Sequence, residues 1–121
     1  MELEDLVGKG LRALFCIEIK EDFFRAKPEE VREIGAALKE AFADLEGRFG
    51  VKVLGTFDDD LVQCGAGNGF PFISYILADI PDFEASVAVT NLLRTPFKGS
   101  RLNQYMSMQT RVGHPLFFGT E

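Results

Sequence analysis

The pattern that decides the fold begins with RALFCIEIK, residues 12–20. Its odd positions carry only apolar side chains from Ala13 to Ile19, whereas its even positions include Arg12 and Glu18. An alternation of period two with one wholly apolar face is typical of a strand that covers a core on one side. We therefore interpret this segment as the first strand of a sheet with one buried face.

Further patterns extend outward from this strand in a definite order. Apolar residues recur at helical spacing over 28–50 and again over 82–94. Strand-like segments cover 51–57, 71–80 and 105–112. The order strand, helix, strand, strand, helix, strand predicts an α+β fold in which one four-stranded antiparallel sheet carries both helices on one face. The other face of that sheet is left open.

The composition indicates a single domain without nucleic-acid or membrane partners. The chain has 121 residues, 46% of them hydrophobic, and a net charge of −6. Nucleic acids and anionic membranes are bound by basic surfaces, which this charge does not favour. No apolar run approaches the roughly 18 residues that span a bilayer. We assign residues 1–10 to an N-terminal arm and residues 11–121 to one α/β domain.

The N-terminus and the cysteines favour a cytoplasmic protein. The first ten residues, MELEDLVGKG, are acidic where a signal peptide is basic, so we expect no secretion. Cys16 lies within a strand and Cys64 in a glycine-rich loop, without a CxxC pair or a histidine at zinc spacing. This usage indicates a reducing compartment and no metal site. The acidic run at 58–60 could bind a cation, but a solvated turn is the commoner meaning of such a run.

The last strand has the cleanest alternation in the chain and defines the open face. Its apolar set is Met106, Met108, Thr110 and Val112, and its polar set is Tyr105, Ser107, Gln109 and Arg111. The apolar set belongs against the helices, so we expect the polar set to line the open face. If the first and last strands are antiparallel neighbours with aligned midpoints, Glu18 lies opposite Ser107. Arg111 then falls near Leu14, at the other end of this strand pair.

The predicted open face has the make-up of a small-molecule pocket. Its middle is apolar, with Leu14, Cys16 and Leu54, and polar groups occupy both ends. A homodimer that packs sheet on sheet explains the same pattern, and a dimer with a residual cavity explains it better. The tail LFFGTE (116–121) adds large apolar residues that a second subunit would bury. The alternative is a polar face that simply meets water.

Several phrases of the sequence are similar to those of a known family: VLGTFDDD, YILADIPDFEA, NLLRT and YMSMQTRVGHPLF. They resemble the IacB-like small proteins found with indole-3-acetic acid degradation enzymes. More broadly, the βαββαβ order, the chain length and the polar stripe of the last strand resemble the dimeric α/β-barrel superfamily, which is ferredoxin-like. That superfamily includes cofactor-independent monooxygenases, muconolactone isomerases and EthD-like proteins. The resemblance covers roughly residues 12–117.

This resemblance implies a homodimer, a small aromatic or ring-derived acid as ligand, and no metal or bound cofactor. It carries over no catalytic residue, because members of the superfamily place different residues in the cavity. The aromatic-rich monooxygenases often use Trp, Asn or His there. This chain has no Trp, which weighs against an oxygenase.

Three side chains are candidates for proton transfer. His114 is the only histidine, the side chain that most readily exchanges a proton near neutral pH, although a surface role after a strand is the alternative. Glu18, flanked by apolar neighbours, could act as a base if a partner removed it from water, or could be a surface carboxylate. Tyr105 offers a hydroxyl at the start of the last strand.

A second group of side chains is predicted to bind the ligand. Arg111 could clamp a carboxylate through two hydrogen bonds, or it could form an ion pair between subunits. The other predicted binding residues are Gln109, Ser107, Ser74, Leu14 and Leu54. We interpret Cys16 as a small buried residue rather than a reactive thiol.

Two classes of function agree with these features. The first is a cofactor-free catalyst of isomerase, dehydratase or oxygenase type in the breakdown of aromatic compounds, with Arg111 orienting the acid. The alternative is a non-catalytic binding or accessory protein that partners an aromatic-degradation enzyme. An enzyme requires an acid–base pair within hydrogen-bond reach inside the cavity, whereas a carrier requires only the cavity and the arginine. A purely structural dimer would leave no cavity.

Overall fold

The structure, a computed structural model, describes residues 10–65 and 72–120. Its strands are β1 (Leu11–Ile19), β2 (Lys52–Asp58), β3 (Phe72–Ile80), β4 (Pro96–Phe97), β5 (Ser100–Arg101) and β6 (Met106–Gly113). Four of them form one antiparallel sheet in the order β2-β3-β1-β6, and β4 pairs with β5. Of the predicted N-terminal arm, only Gly10 is among the described residues. The end of the predicted loop at 58–69 also lies outside the described residues.

Helices and short helical turns connect these strands. The α-helices are α1 (Glu21–Phe24), α2 (Pro28–Ala41), α3 (Leu45–Phe49) and α4 (Phe83–Thr90), with 3₁₀ turns at Asn91–Arg94 and Leu102–Gln104. None of the helices in the described ranges is long and apolar enough to cross a bilayer. The predicted α+β class with a four-stranded antiparallel sheet is confirmed, and the architecture is compatible with a ferredoxin-like fold.

The helix predicted over 28–50 is divided into two helices, although its apolar pattern continues across the break. Asp44 has a left-handed backbone with φ of 50°, and its carboxylate accepts a hydrogen bond from the Gly47 amide at 3.0 Å. This local bond caps α3 and competes with continuation of α2, which is why aspartate favours helix starts over helix interiors. The helical segment ends at Gly50, where the predicted range 28–50 ends, and Gly47 lies within α3.

The core lies between the helices and one face of β1. Ala13 and Phe15 are fully buried there and pack with Val51, Ala78 and Val89. The second helix starts as predicted, because the Asp82 side chain accepts from the Ala85 amide at 2.8 Å and caps α4. The odd positions of β1 therefore face the core, as the alternation predicts, and its even positions face away.

A β-bulge in β2 reverses one predicted orientation. Val53 lies opposite Ala78 but Gly55 lies opposite Leu77, so one extra residue is inserted between them. Because side chains alternate with period two, the insertion moves every later residue to the other face. Uninterrupted alternation from Val53 would direct Phe57 toward the core, but Phe57 lies opposite Tyr75 on the far side of the sheet and is 63% exposed.

Replacing Gly35 with alanine should raise the free energy of unfolding by about 0.5–1 kcal/mol, because glycine loses more backbone entropy in a helix. Gly35 lies inside α2, and a Cβ there meets no atom within 4 Å. Chemical denaturation measures the change. Gly50→Ala is the matched control and should be destabilised, since Gly50 has φ of +71° and its Cβ would lie 3.2 Å from the Pro81 Cγ. A destabilised Gly35→Ala variant would contradict the prediction.

Candidate functional site

The helices pack against one face of the four-stranded sheet, and the opposite face, which we call the open face, carries the alternate side chains. β1 contributes Arg12, Leu14, Cys16 and Glu18 to it, β2 and β3 contribute Phe57, Tyr75, Leu77 and Asp79, and β6 contributes Ser107, Gln109 and Arg111. The predicted pairing of the first and last strands is present, with Glu18 opposite Ser107 and Arg111 opposite Leu14.

Two cavities on the open face meet along Leu14 and Leu77, which line both of them. The larger, about 660 Å³, extends toward Arg111 and His114. The smaller, about 520 Å³, is almost wholly apolar and is lined also by Leu54, Phe57 and Tyr75. Together they form one trough with an apolar floor and a cationic end, in the size range of ligand pockets.

The cationic end of the trough brings together two of the predicted site residues. Arg111 and His114 line the same cavity, and the exposed His114 ring has its Nδ1 2.9 Å from the Pro115 carbonyl oxygen. Arg12 also lies at this end, where its Nε donates to Asp79 Oδ1 at 2.8 Å. Arg12 is therefore paired with a carboxylate, and Arg111 lies at the same end of the cavity.

Glu18 lies at the other end of the open face. The Ser107 hydroxyl donates to its Oε2 at 3.3 Å. Glu18 is four residues along β1 from Leu14, the partner of Arg111, which corresponds to roughly 13 Å at the rise of a strand. Within one subunit, Glu18 is too far from Arg111 and His114 to share a proton or a ligand with them.

Tyr105, predicted on the open face, lies on the helix side instead. It follows the 3₁₀ turn before β6 begins, so the strand alternation does not extend back to it. Tyr105 is 6% exposed, packs edge-on against Phe97, and donates its hydroxyl to Glu30 Oε1 at 2.8 Å. That hydrogen bond to a carboxylate, with burial and the carboxylate charge, raises the pKa of Tyr105. It does not belong to the trough.

Ser74 is also on the helix side of the sheet. It lies opposite Ile17, a core-facing position of β1, and it lines an apolar groove of about 420 Å³ between α2 and the sheet. Nearly every position of the 71–80 segment is apolar, so alternation alone could not assign its faces. Of the other predicted binding residues, Gln109 lies opposite Cys16, and Leu14 and Leu54 line the trough.

Tyr75 and Phe57 are residues of the trough that sequence reasoning missed. Their rings stack with centroids 5.9 Å apart. The Tyr75 hydroxyl lies 3.0 Å from Asp59 Oδ2 and 3.0 Å from the Phe72 carbonyl oxygen. Tyr75 lies two residues before Leu77, so the two side chains share a face of β3. Which face they share could be assigned only from the register of β3 in the sheet. An aromatic pair of this kind offers a flat surface to a ring-shaped ligand.

Burial raises the pKa of Tyr75 to about 12, with the acceptor and negative charge of Asp59 acting in the same direction. Burial also raises the pKa of the Cys16 thiol, while the charge of Arg111 acts in the opposite direction. Cys16 is fully buried, as expected for a small packing residue. Both groups therefore keep their protons at neutral pH and present uncharged surfaces.

Asp59 belongs to the acidic run at 58–60, for which a solvated turn is a commoner interpretation than a cation site. In the structure its carboxylate accepts from the Tyr75 hydroxyl. Across residues 10–65 and 72–120, no three His, Cys, Asp or Glu side chains are grouped closely enough to hold a metal ion.

No protein-family model matches the chain, and no curated protein sequence matches it.

The raised pKa of Tyr75 predicts a stability that falls in alkaline solution. The folded protein keeps the Tyr75 proton up to a pKa of about 12, whereas an unfolded tyrosine loses it near pH 10. Between these values the unfolded state binds fewer protons, so the free energy of unfolding should decrease as pH rises through the window. Denaturation at a series of pH values measures the decrease.

Tyr75→Phe should lessen this decrease and remove the tyrosinate absorbance step at about pH 12. Tyr105→Phe is the matched control, since it leaves the step of Tyr75 in place. An unchanged absorbance titration in the Tyr75→Phe variant would refute the assignment.

Proposed function

We propose that this chain binds a small aromatic or ring-derived acid in the trough, without a bound cofactor, as part of the catabolism of such compounds. The observation that carries the proposal is the continuity of the two cavities through Leu14 and Leu77. It joins an apolar floor to Arg111, so one ligand can use both. A flat ring suits Phe57 and Tyr75, and a guanidinium donates two parallel hydrogen bonds to a carboxylate.

The proposal includes a homodimer joined through the open faces. The trough is exposed in a single subunit, and Phe57, on its floor, is 63% exposed. The tail beside the larger cavity leaves Phe117 91% exposed, and Phe118 lines that cavity. Monomeric proteins rarely expose large contiguous apolar surface. A second sheet about 10 Å away would bury this surface and still leave room for a ligand.

Membership of the dimeric α/β-barrel superfamily, and within it a relation to IacB-like proteins, forms part of the same proposal. The order β2-β3-β1-β6 with helices on one face supports it, because this is the strand order expected of a βαββαβ chain whose first and last strands are neighbours. A cytoplasmic catabolic role in aromatic degradation agrees with the apolar, aromatic floor of the trough.

A second candidate function, binding without catalysis, is favoured by the positions of the proton-transfer candidates. Within one subunit, Glu18 is roughly 13 Å along the strand from the Arg111 position, and Tyr105 lies on the other side of the sheet. Only His114 lines the cavity with Arg111. An accessory protein that carries an aromatic acid to a neighbouring enzyme needs no more than this. Turnover of a bound acid by the purified protein distinguishes the two.

The central test is the affinity for an aromatic acid in an Arg111→Lys variant. Lysine keeps the positive charge but loses the planar fork, so affinity for an indole or benzoic acid should fall about tenfold or more while the dimer is retained. A thermal-shift screen of aromatic acids comes first, since a ligand at a hundredfold excess over its dissociation constant adds roughly 2.7 kcal/mol of stability.

Two control variants locate the site. Arg101→Lys, on the exposed strand β5, should leave affinity unchanged. Gly35→Leu fills the groove between α2 and the sheet without touching the trough, and should also bind normally. If affinity falls in Gly35→Leu and not in Arg111→Lys, the ligand occupies the groove and the proposed site is wrong.

A further inference from the structure

The chain passes back along the open face after β6 ends at Gly113. Of residues 114–120, all except Phe117 line the larger cavity of the trough. The sheet lines the same cavity through Leu14 and Leu77. Among the described residues, those that line the smaller cavity all belong to β1, β2 and β3. A ligand in the larger cavity therefore lies between the sheet and the segment that follows its last strand.

Local geometry brings one of two neighbouring rings to this cavity. Phe118 lines the cavity and is 53% exposed, whereas Phe117 does not line it and is 91% exposed. The two rings pack edge to face, with centroids 4.9 Å apart. Gly119 follows with φ of +99°, a left-handed conformation that glycine adopts readily. The chain can therefore turn directly after Phe118, and Thr120 lines the cavity again.

The segment carries large apolar side chains that are only weakly buried. Leu116, like Phe117 and Phe118, is mostly or largely exposed although the segment lies beside an apolar cavity. Segments that bury little apolar surface open at a low cost in free energy. A ligand that covered Leu116 and Phe118 would remove their apolar surface from water and so favour the arrangement in which the segment lies over it.

We propose that residues 115–120, which we call the strap, close over an aromatic acid in the trough, and that Phe118 contacts the ligand and limits its size. This inference rests on the ligand site of the proposed function and adds the segment that decides which ring fits. The ring lies over Leu14 and Leu77, which line both cavities, with Phe118 against its other side. Aromatic rings pack favourably in stacked or edge-to-face arrangements.

The two neighbouring phenylalanines provide a matched pair of variants. Phe118→Ala should weaken the binding of benzoic acid about tenfold, because the ring that contacts the ligand is removed. Phe117→Ala removes the same side chain from the adjacent position, which does not line the cavity, and should leave the affinity unchanged. Both side chains are more than half exposed, so neither variant should disturb folding. Isothermal titration calorimetry measures the dissociation constants.

Ligand size gives a readout that a purely structural role of Phe118 would not change. Shortening this side chain enlarges the cavity, so the loss of affinity should be smaller for 1-naphthoic acid, which has two rings, than for benzoic acid. The ratio of the two dissociation constants should shift about tenfold toward the larger acid in Phe118→Ala. The ratio should keep its wild-type value in Phe117→Ala.

Limited proteolysis of the wild-type protein measures the closure itself. Chymotrypsin cleaves after aromatic residues, and exposed segments near chain ends are preferred sites of cleavage. Saturating benzoic acid should slow cleavage after Phe117 and Phe118, because the closed strap is held against the ligand. Cleavage after Phe24, an exposed residue of α1 that does not line the trough, should be unchanged. Mass spectrometry of the fragments assigns each cleavage.

The outcomes separate the strap from the ligand site. Weaker binding and a shifted ratio in Phe118→Ala alone, together with protection of the strap, support the proposal. A wild type that binds benzoic acid while Phe118→Ala keeps its affinity and ratio, or while the strap stays unprotected, overturns the strap and leaves the proposed function. Equal losses in Phe117→Ala and Phe118→Ala overturn the role of Phe118. A wild type that binds no aromatic acid overturns both proposals.

Discussion

The structure depends on β1, whose side chains alternate between the two faces of the sheet and whose two edges are both paired with other strands. β3 and β6 pair with its two edges, so β1 is an inner strand of the sheet. Its side chains can then point only toward the helices or away from them. Phe15 is fully buried on the helix side, and Leu14, next to it in the chain, lines the trough. One strand thus builds the core and the candidate site at the same time.

The chemical character of the trough comes from a local irregularity in β2. Without the bulge between Val53 and Gly55, Phe57 would face the helices and the floor would lack its aromatic pair. One inserted residue therefore adds a second aromatic ring beside Tyr75 on the open face. Tyr75, held by Asp59, completes a flat, uncharged floor beside a cationic end.

Charge on the open face is organised along the strands. Among the described residues, Arg12, Lys52 and Arg111 lie with Asp79 where β2 begins and β6 ends, and Glu18 and Asp59 lie at the opposite end. Within one chain, Glu18 is therefore remote from Arg111 and His114, the residues at the cationic end of the trough.

Sequence alone determined the α+β class, the core face of β1, the start of α4 at Asp82 and the pairing of Glu18 with Ser107. These follow from the repeat of apolar residues and from capping chemistry, which are local properties. Tertiary structure decided the faces of Phe57, Ser74 and Tyr105 and the break at Asp44. The bulge in β2 shifts the alternation of its side chains, and the uniformly apolar β3 has no alternation from which its faces could be assigned. A 3₁₀ turn delays the start of the last strand by one residue. The bulge and the faces of β3 depend on strand partners distant in the chain, whereas the break at Asp44 comes from a local hydrogen bond that the apolar repeat does not record.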